Sequence, residues 1–486
     1  MRLEAGFWSR QAGRWLPGGF GRSVALLASG TAVAQAISVA ASPFLSRLYT
    51  PDAFGAFGVL VAIVSIGAVG VGLRYEAAIP LADGDDEALA VVVLVLLLVV
   101  LLSVGIGFAG WLALEAVGVE ALGSPLRETL LLVPLALFLT GVYQTLTFWA
   151  TRVEAFGASA RAGVAQSTAQ AVGQLALGVA GGGAMGLGTG YLVGRATGVG
   201  VLRGAIGPDA RGRIRRLGLG DLRAAAGRHR RFPLIALWSS LLNSAGFQVP
   251  VLILAALFEA AVVGWFLLTV RVLQLPLAVI GSAVGQAFYA RASRETRDEL
   301  RSTTSSVFQA LVILGTGPLV LLAIGGDEGF ALVFGEAWRE AGNYARWLAP
   351  WLLLVFVASP LSTMVYVLSR QRGELIFQLA LVGVRVGALV AGWRLGAADV
   401  AIALFGGGSA VLWGIYVVWL LTISGAGVRV PLARLGRELV VAVVLILPIV
   451  AAGALGVRGF AWALVAAATL AVMVVRSARR LRTLAA

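Results

Sequence analysis

Long apolar runs separated by short polar breaks recur along the chain of 486 residues. A helix needs about 20 mostly apolar residues to cross the hydrocarbon core of a membrane. The breaks carry Pro, Gly or charge, as in Tyr49-Thr50-Pro51-Asp52. The pattern predicts an all-α polytopic membrane protein with about fourteen transmembrane helices. The predicted spans are 24–46, 54–79, 88–113, 129–149, 160–181, 184–204, 232–257, 262–289, 304–325, 344–369, 374–393, 399–422, 438–456 and 459–475.

The longest polar interval divides the first twelve spans into two sets of six, which we expect to form two six-helix lobes around a central cavity. The predicted segments are a basic leader or interfacial helix at 1–23, an N-terminal lobe at 24–204, a basic cytoplasmic bridge at 205–231, a C-terminal lobe at 232–423, and an extra helix pair with a basic tail at 424–486. The leader has a second interpretation as a disordered basic segment. Its length disfavours a cleaved secretory signal.

Composition agrees with a membrane protein, since 59% of the residues are hydrophobic and only 13% are charged, with a mean hydropathy of +0.91. A soluble domain carries about 25% charged residues. Cysteine is absent, which excludes disulfides and thiolate chemistry, and His229 is the one histidine. We therefore expect no metal and no cofactor.

The arginines predict the orientation of the chain. All 38 basic residues are arginine, and the net charge is +14. With the N-terminus inside, 28 of them fall in cytoplasmic segments, six in outer segments and four within spans. Such a bias predicts that both termini lie in the cytoplasm and that the chain spans the cytoplasmic membrane. The acidic segment 83–87 is an inside loop that departs from this pattern.

The bridge at 205–231 contains eight arginines. One interpretation is contact with anionic lipid headgroups, worth about 1 kcal/mol per arginine near the surface. The alternative is a topological anchor with no further role. Binding of nucleic acid is not expected, because no aromatic platform accompanies the arginines. His229 lies in this bridge and is expected to be solvated.

Four arginines within the predicted spans are the main candidates for function: Arg74, Arg195, Arg271 and Arg385. An arginine in mid-membrane costs about 2.5–3.5 kcal/mol on insertion scales, so such residues usually have a role. Glu76 is expected to point away from Arg74, because residues two apart do not face each other on a helix. The surplus positive charge suits a phosphate or pyrophosphate ligand. The alternative for each arginine is snorkelling or a structural bond to backbone carbonyls.

Uncharged amides within the spans could bond sugar hydroxyls or, alternatively, neighbouring helices. These candidates are Gln35, Gln166, Gln170, Gln174, Asn243, Gln248, Gln274 and Gln286. Three of them recur every four residues on one face of a helix, at 166, 170 and 174. Glycines at 186, 190, 194 and 198 have the same spacing, which predicts close helix packing. The run 186–190 is not a nucleotide loop, since it follows no strand and the chain has no lysine.

Several stretches resemble bacterial oligosaccharide flippases, which belong to the polysaccharide transporter family of the multidrug/oligosaccharidyl-lipid/polysaccharide exporter superfamily. They are Leu48-Tyr49-Thr50-Pro51-Asp52-Ala53-Phe54-Gly55, Leu73-Arg74-Tyr75-Glu76-Ala77-Ala78-Ile79, Gln274-Leu275-Pro276-Leu277, Ile280-Gly281-Ser282-Ala283-Val284-Gly285-Gln286-Ala287-Phe288-Tyr289, Phe334-Gly335-Glu336-Ala337-Trp338-Arg339-Glu340-Ala341-Gly342 and Leu348-Ala349-Pro350-Trp351. Many members have twelve spans, so the pair at 424–486 departs from that pattern.

The resemblance implies a transporter rather than an enzyme. Its implied activity is export of undecaprenyl-pyrophosphate-linked oligosaccharides from the inner to the outer leaflet by alternating access, for O-antigen, capsule or exopolysaccharide. By position only, the family's cationic cavity would correspond to Arg74, Arg195, Arg271 and Arg385. Implied partners are the lipid-linked glycan, anionic membrane lipids, and a polysaccharide polymerase or glycosyltransferases of the pathway.

Two other functions remain open from the sequence. A multidrug or cation antiporter of the same superfamily would keep a carboxylate in the first span, and residues 24–46 contain none. A membrane glycosyltransferase or polymerase would need acidic residues in an outer loop. Its candidates are Asp327, Glu328, Glu336 and Glu340.

Overall fold

The computed structural model describes residues 20–117, 124–275, 281–292 and 295–485, and the regular structure in these ranges is helical. The all-α polytopic architecture is therefore confirmed. Residues 1–19 of the leader predicted at 1–23 lie outside the described residues. Its two interpretations, an interfacial helix and a disordered basic segment, therefore stay predictions. The chain forms two compact units, the first ending at Leu252 and the second beginning at Ile253.

The described part of the first unit contains ten α-helices, of which the last crosses the division. They are α1 (Phe20–Leu48), α2 (Pro51–Val71), α3 (Asp85–Val117), α4 (Ser124–Leu130), α5 (Val133–Arg152), α6 (Phe156–Val179), α7 (Gly183–Leu202), α8 (Pro208–Ile214), α9 (Leu219–Arg228) and α10 (Leu237–Leu257). A 3-10 helix follows α2 at Tyr75–Leu81, and a π-helical turn precedes α10 at Phe232–Ala236.

The second unit contains nine further described helices. They are α11 (Ala260–Leu273), α12 (Ser282–Ala292), α13 (Arg297–Phe334), α14 (Arg339–Leu361), α15 (Met364–Val367), α16 (Gln371–Arg394), α17 (Ala398–Ile423), α18 (Arg429–Ala454) and α19 (Gly459–Ala485). A 3-10 turn at Glu336–Trp338 joins α13 to α14.

Each predicted span overlaps a described helix, and ten helices in the described ranges are long and apolar enough to cross a membrane. Helices α6 and α7 are less apolar because glycine and polar side chains occupy their contact face. Of the single span predicted at 262–289, the structure describes α11, which ends at Leu273, and α12, which begins at Ser282, while residues 276–280 lie outside the described part of the chain.

The predicted bridge is part of the first unit rather than a free linker. Helices α8 and α9 pack on α3, and Ala225 is buried in the same core as the inner end of α3. The Tyr75 hydroxyl donates to the Ala226 carbonyl at 3.1 Å, and Trp149 Nε1 donates to the Ala205 carbonyl at 3.2 Å. The division between the units therefore falls inside α10, beyond the bridge.

The acidic segment 83–87 holds the bridge by ion pairs. Asp85 lies 3.2 Å from Arg152 and 3.8 Å from Arg213, and Glu87 lies 2.8 Å from Arg228. The expectation that His229 is solvated is wrong, because its side chain is 12% exposed and its Nε2 lies 3.0 Å from Glu87 Oε1. The acidic segment 83–87, the end of α5 at Arg152 and the bridge thus meet at one end of the first unit. The arginine count assigns all three to the same side of the membrane.

Replacing Asp85, Asp86 and Glu87 by their amides is expected to loosen the bridge. Exposed ion pairs contribute about 0.2–1 kcal/mol each, so removing this group should raise the rate of tryptic cleavage between 211 and 231 by several-fold. Asp83→Asn is the matched control, since no ion pair to the bridge involves Asp83 among the described contacts. A cleavage rate unchanged from the wild type would contradict the role of the acidic segment.

The last helix pair is packed into the second unit. On α19, Trp462 covers Gly325 of α13, and the Ser477 hydroxyl donates to the Ile313 carbonyl at 3.1 Å. Glu438 of α18 is 3% exposed and accepts from Arg476 at 2.6 Å and from Arg480. Helices α18 and α19 are therefore joined to each other by a buried carboxylate and to α13 by side-chain packing.

Candidate functional site: arginine clusters within the two units

Arg74 lies just beyond a helix and not within one. Helix α2 ends at Val71, and both Leu73 and Arg74 have left-handed backbone, with φ of 48° and 63°. The expectation that Glu76 points away from Arg74 is therefore wrong, because the helical spacing on which it rests does not apply here. Arg74 Nη1 lies 3.3 Å from Glu76 Oε1, and the carboxylate side chain is 2% exposed. This ion pair compensates the charge of Arg74.

Arg195 lies at the centre of a polar and aromatic group, which we call the Arg195 cluster: Arg195, Tyr191, Tyr143 and Gln166. Arg195 Nε donates to the Tyr191 hydroxyl at 3.1 Å, and its Nη1 donates to Gln166 Oε1 at 3.3 Å. Its Cζ lies 5.3 Å from the centre of the Tyr143 ring and 5.2 Å from that of Tyr191. A cation within about 6 Å of an aromatic face is stabilised by the ring.

Three helices bring this cluster together. Tyr191 and Arg195 are one turn apart on α7, so their side chains lie on the same face. Helices α6 and α7 approach closely at Gly194, because a glycine has no side chain there. A Cβ at this position would lie 2.8 Å from the Gln166 carbonyl oxygen, closer than any side chain permits. This close approach brings α6 to Arg195. Tyr143 comes from α5 and contacts Gly198 of α7. Close packing by the glycine stripe is thereby confirmed.

The three glutamines of α6 have different surroundings. Gln174 is 3% exposed, and its Nε2 donates to the Leu187 carbonyl of α7 at 2.9 Å. Gln170 packs against Gly194. Gln166 alone of the three bonds an arginine, through its Oε1. Gln174 therefore makes a hydrogen bond between helices, which was the alternative to a sugar-facing role. It can do so because the glycine stripe brings the α7 backbone close to α6.

A second arginine in similar surroundings lies in the other unit, in what we call the Arg385 cluster: Arg385, Trp351, Phe405 and Ser409. Arg385 Nε donates to the Ser409 hydroxyl at 3.2 Å. Its Cζ lies 4.7 Å from the Trp351 ring centre and 5.2 Å from that of Phe405. Phe405 and Ser409 are one turn apart on α17, while Trp351 comes from α14.

The two clusters share a charge that no carboxylate compensates. Within the described ranges, neither Arg195 nor Arg385 forms a salt bridge, whereas Arg74 does. Both side chains are half-buried, and their described hydrogen bonds use Nε and Nη1 of Arg195 and Nε of Arg385. Each guanidinium is therefore held in place by rings and neutral oxygens while keeping N–H donors for a ligand. Planar N–H donors of this kind match phosphate oxygens.

The remaining candidates lie apart from these clusters. Arg271 lies in the last turn of α11, where it is half-buried and has an interaction partner of its own. Gln35, Asn243 and Gln274 are exposed, and Gln248 is half-buried. None of these four amides bonds to one of the four arginines in the described structure. Gln286 lies on α12, but its side chain falls outside the described part of the chain.

Of the four carboxylates predicted for an outer loop, Asp327 and Glu328 lie within α13 instead. Glu328, Glu336 and Glu340 have ion-pair or hydrogen-bond partners. Glu328 lies 2.8 Å from Arg339 and 3.8 Å from Arg458, and Glu336 lies 2.6 Å from Arg339. Glu340 accepts from Asn343 at 2.9 Å. In the described part of the chain, no group of three His, Asp or Glu residues is placed to hold a metal ion.

The aromatic partners of the two arginines are functional candidates that sequence reasoning missed. Tyr191 could have been found, because it precedes Arg195 by one helical turn. Tyr143, Trp351 and Phe405 give no local signal, since each lies on a different helix from the arginine it contacts.

The described helices define an all-α polytopic membrane protein. The family model described as "Polysaccharide biosynthesis protein" matches residues 44–343. The chain belongs to this family. No match to a curated protein was found.

Solved structures of the same fold include the following three transporters. The lipid II flippase MurJ, in an inward closed conformation, has a TM-score of 0.73 at 11% identity, with 95% of this chain and 100% of that chain covered. An inward-facing multidrug resistance transporter of the MATE family has a TM-score of 0.62 at 16% identity, with 81% and 95% covered. A superfamily transporter from Pyrococcus furiosus has a TM-score of 0.51 at 15% identity, with 83% and 96% covered. At these identities the similarity shows the fold alone.

Proposed function

We propose that this chain is a flippase for undecaprenyl-pyrophosphate-linked oligosaccharides. It moves them from the inner to the outer leaflet of the bacterial cytoplasmic membrane by alternating access, for synthesis of O-antigen, capsule or exopolysaccharide. The observation that carries the proposal is a pair of half-buried arginines, Arg195 and Arg385, that lack a carboxylate partner within the described residues. Membership of the polysaccharide biosynthesis family supports a glycan-bearing substrate.

The positive charge of the two arginines favours a pyrophosphate-linked substrate over the cationic substrate of an antiporter. A pyrophosphate group carries two or more negative charges, and each arginine can donate two hydrogen bonds to its oxygens. A cationic drug would be repelled by the same guanidinium groups. A cation antiporter is the second candidate function, because one solved structure of similar fold is a multidrug resistance transporter. Growth protection against cationic drugs by the expressed chain, with no effect on glycan export, would favour that candidate.

Deletion of the gene tests the substrate directly. Loss of a flippase is expected to leave lipid-linked glycan on the cytoplasmic side, where mass spectrometry can identify the sugar sequence. Restoration by the plasmid-borne wild-type chain is the control. A deletion strain with normal surface polysaccharide and no accumulated lipid-linked glycan would contradict the proposal.

A double substitution, Arg74→Gln with Arg271→Gln, tests the two other intramembrane candidates. We expect the variant to fail to restore surface polysaccharide, because two of the four arginines predicted to line the substrate path lose their charge. The amount of inserted protein is measured in the same cells, because Arg74→Gln also removes the partner of the buried Glu76 carboxylate. Arg211→Gln with Arg215→Gln removes the same charge from exposed positions of the bridge and serves as the control. Normal polysaccharide in the Arg74/Arg271 variant would exclude both residues from the substrate path.

A further inference from the structure

A basic cleft lies at the beginning of α18, in the second unit. Arg429, Arg434 and Arg437 line it together with Val430 and Ala433, and its volume is about 400 Å³. Helix α18 starts at Arg429 with no acidic residue in its first turn and no side-chain cap on Val428. The free N–H groups of this turn add to the positive potential of the arginines.

The carboxylate nearest this cleft is already used. Glu438 is 3% exposed and accepts from Arg476 and Arg480, with Arg437 Nη2 at 3.8 Å. Arg434 donates instead to a neutral acceptor, Gln309 Oε1, at 2.5 Å. These five arginines face one carboxylate, which leaves four positive charges. An anion entering the cleft therefore meets more guanidinium groups than the described carboxylate, Glu438, can neutralise.

The face of α18 that continues from the cleft is apolar and exposed. Val440, Val444 and Leu447 follow Arg437 at spacings of three and four residues, so the four side chains lie on one face. The three apolar side chains are 64%, 55% and 54% exposed. Such a face is suited to hydrocarbon, while Arg437 lies at the end where the membrane surface would be. The cleft is thus placed to receive the head of a lipid.

We propose that this cleft captures the diphosphate head of the polyprenyl-linked substrate before translocation. The inference rests on the proposed function and adds a second anion site to it. Three arginines around one cleft suit the two negative charges of a diphosphate that joins a polyprenyl chain to a sugar, whereas a phosphatidylglycerol head carries one. Each guanidinium can bond two phosphate oxygens in parallel.

Binding of farnesyl diphosphate to the purified full-length chain in phosphatidylcholine nanodiscs tests the inference. Arg429→Gln with Arg437→Gln should weaken binding by about tenfold or more, because charge-assisted hydrogen bonds are lost. Arg479→Gln with Arg482→Gln removes equal charge from exposed positions near the end of α19 and should change binding less than about twofold. Equal losses in the two variants, or no loss in the first, would overturn the inference.

Competition distinguishes the two lipid sources. Phosphatidylglycerol at the same mole fraction should displace little farnesyl diphosphate from the wild-type chain. If phosphatidylglycerol displaced it fully, the cleft would be a site for bulk phospholipid and the inference would fail.

Transport by the same variants separates this inference from the proposed function. A capture site lowers the substrate density needed for half-maximal transport, so the Arg429/Arg437 variant should need about tenfold more substrate and reach the same saturated rate. Equal dependence on substrate in variant and wild type would overturn the capture site alone. Absence of transport by the wild type would overturn the proposed function.

Discussion

Replacing Arg195 by glutamine is expected to lower the rate of glycan translocation by about tenfold to a hundredfold. Hydrogen bonds to charged groups contribute about 1.5–3 kcal/mol, and each 1.4 kcal/mol corresponds to about tenfold. The glutamine keeps a polar group near Tyr191 and Gln166, so the packing of α5, α6 and α7 should survive. The same substitution at Arg385 should have an effect of similar size. Translocation is measured in vesicles containing equal amounts of each purified variant.

Lysine at the same positions separates charge from geometry. Arg195→Lys and Arg385→Lys keep the positive charge but lose the planar pair of donors, so we expect partial activity, between that of glutamine and that of arginine. Melting temperatures within a few degrees of the wild type would show that the variants are folded. A folded Arg195→Gln variant that translocates at the wild-type rate would contradict a role for this arginine in binding the substrate.

Replacing Gly194 by leucine is expected to unfold the first unit. A Cβ at this position would lie 2.7 Å from Gln170 Cβ and 2.8 Å from the Gln166 carbonyl oxygen, so α6 and α7 would have to separate. Overpacking of a tight contact costs about 1–3 kcal/mol, and more where the backbone itself obstructs the new side chain. The expected result is a large fall in melting temperature or no recovery of monodisperse protein from detergent.

Gly200→Leu is the matched control for this packing prediction. Gly200 lies on the same helix, is exposed, and has no atom within 4 Å of the position a Cβ would take. The leucine there should face lipid and leave the melting temperature nearly unchanged. Equal loss of stability in both variants would show that the helix, and not the contact with α6, is sensitive to substitution.

The helices and the glycine contact could be predicted because their signals are local. Apolar runs reveal spans by length alone, and a glycine every four residues falls on one helical face whatever lies opposite. The charge count grouped the segments that carry Asp85, Arg152 and Arg213 on one side, and the structure brings these residues together. These properties depend on spacing along one segment.

The surroundings of the arginines could not be predicted in the same way. The pairing of Arg74 with Glu76 depends on two left-handed residues that the apolar run does not reveal, since neither is glycine. Tyr143 meets Arg195, and Trp351 meets Arg385, only when separate helices pack. A sequence therefore indicates which spans contain charge, while the packing decides which of those charges a carboxylate compensates.

Translocation by the purified chain tests the central claim most directly. Vesicles containing the protein receive a radiolabelled undecaprenyl-pyrophosphate-linked oligosaccharide on one side, and a membrane-impermeant glycosidase on the other side reports its arrival. The account predicts protein-dependent cleavage of the labelled glycan in wild-type vesicles, with slower cleavage for Arg195→Gln and Arg385→Gln. Cleavage in wild-type vesicles no faster than in protein-free vesicles, with the protein folded and correctly inserted, would contradict it.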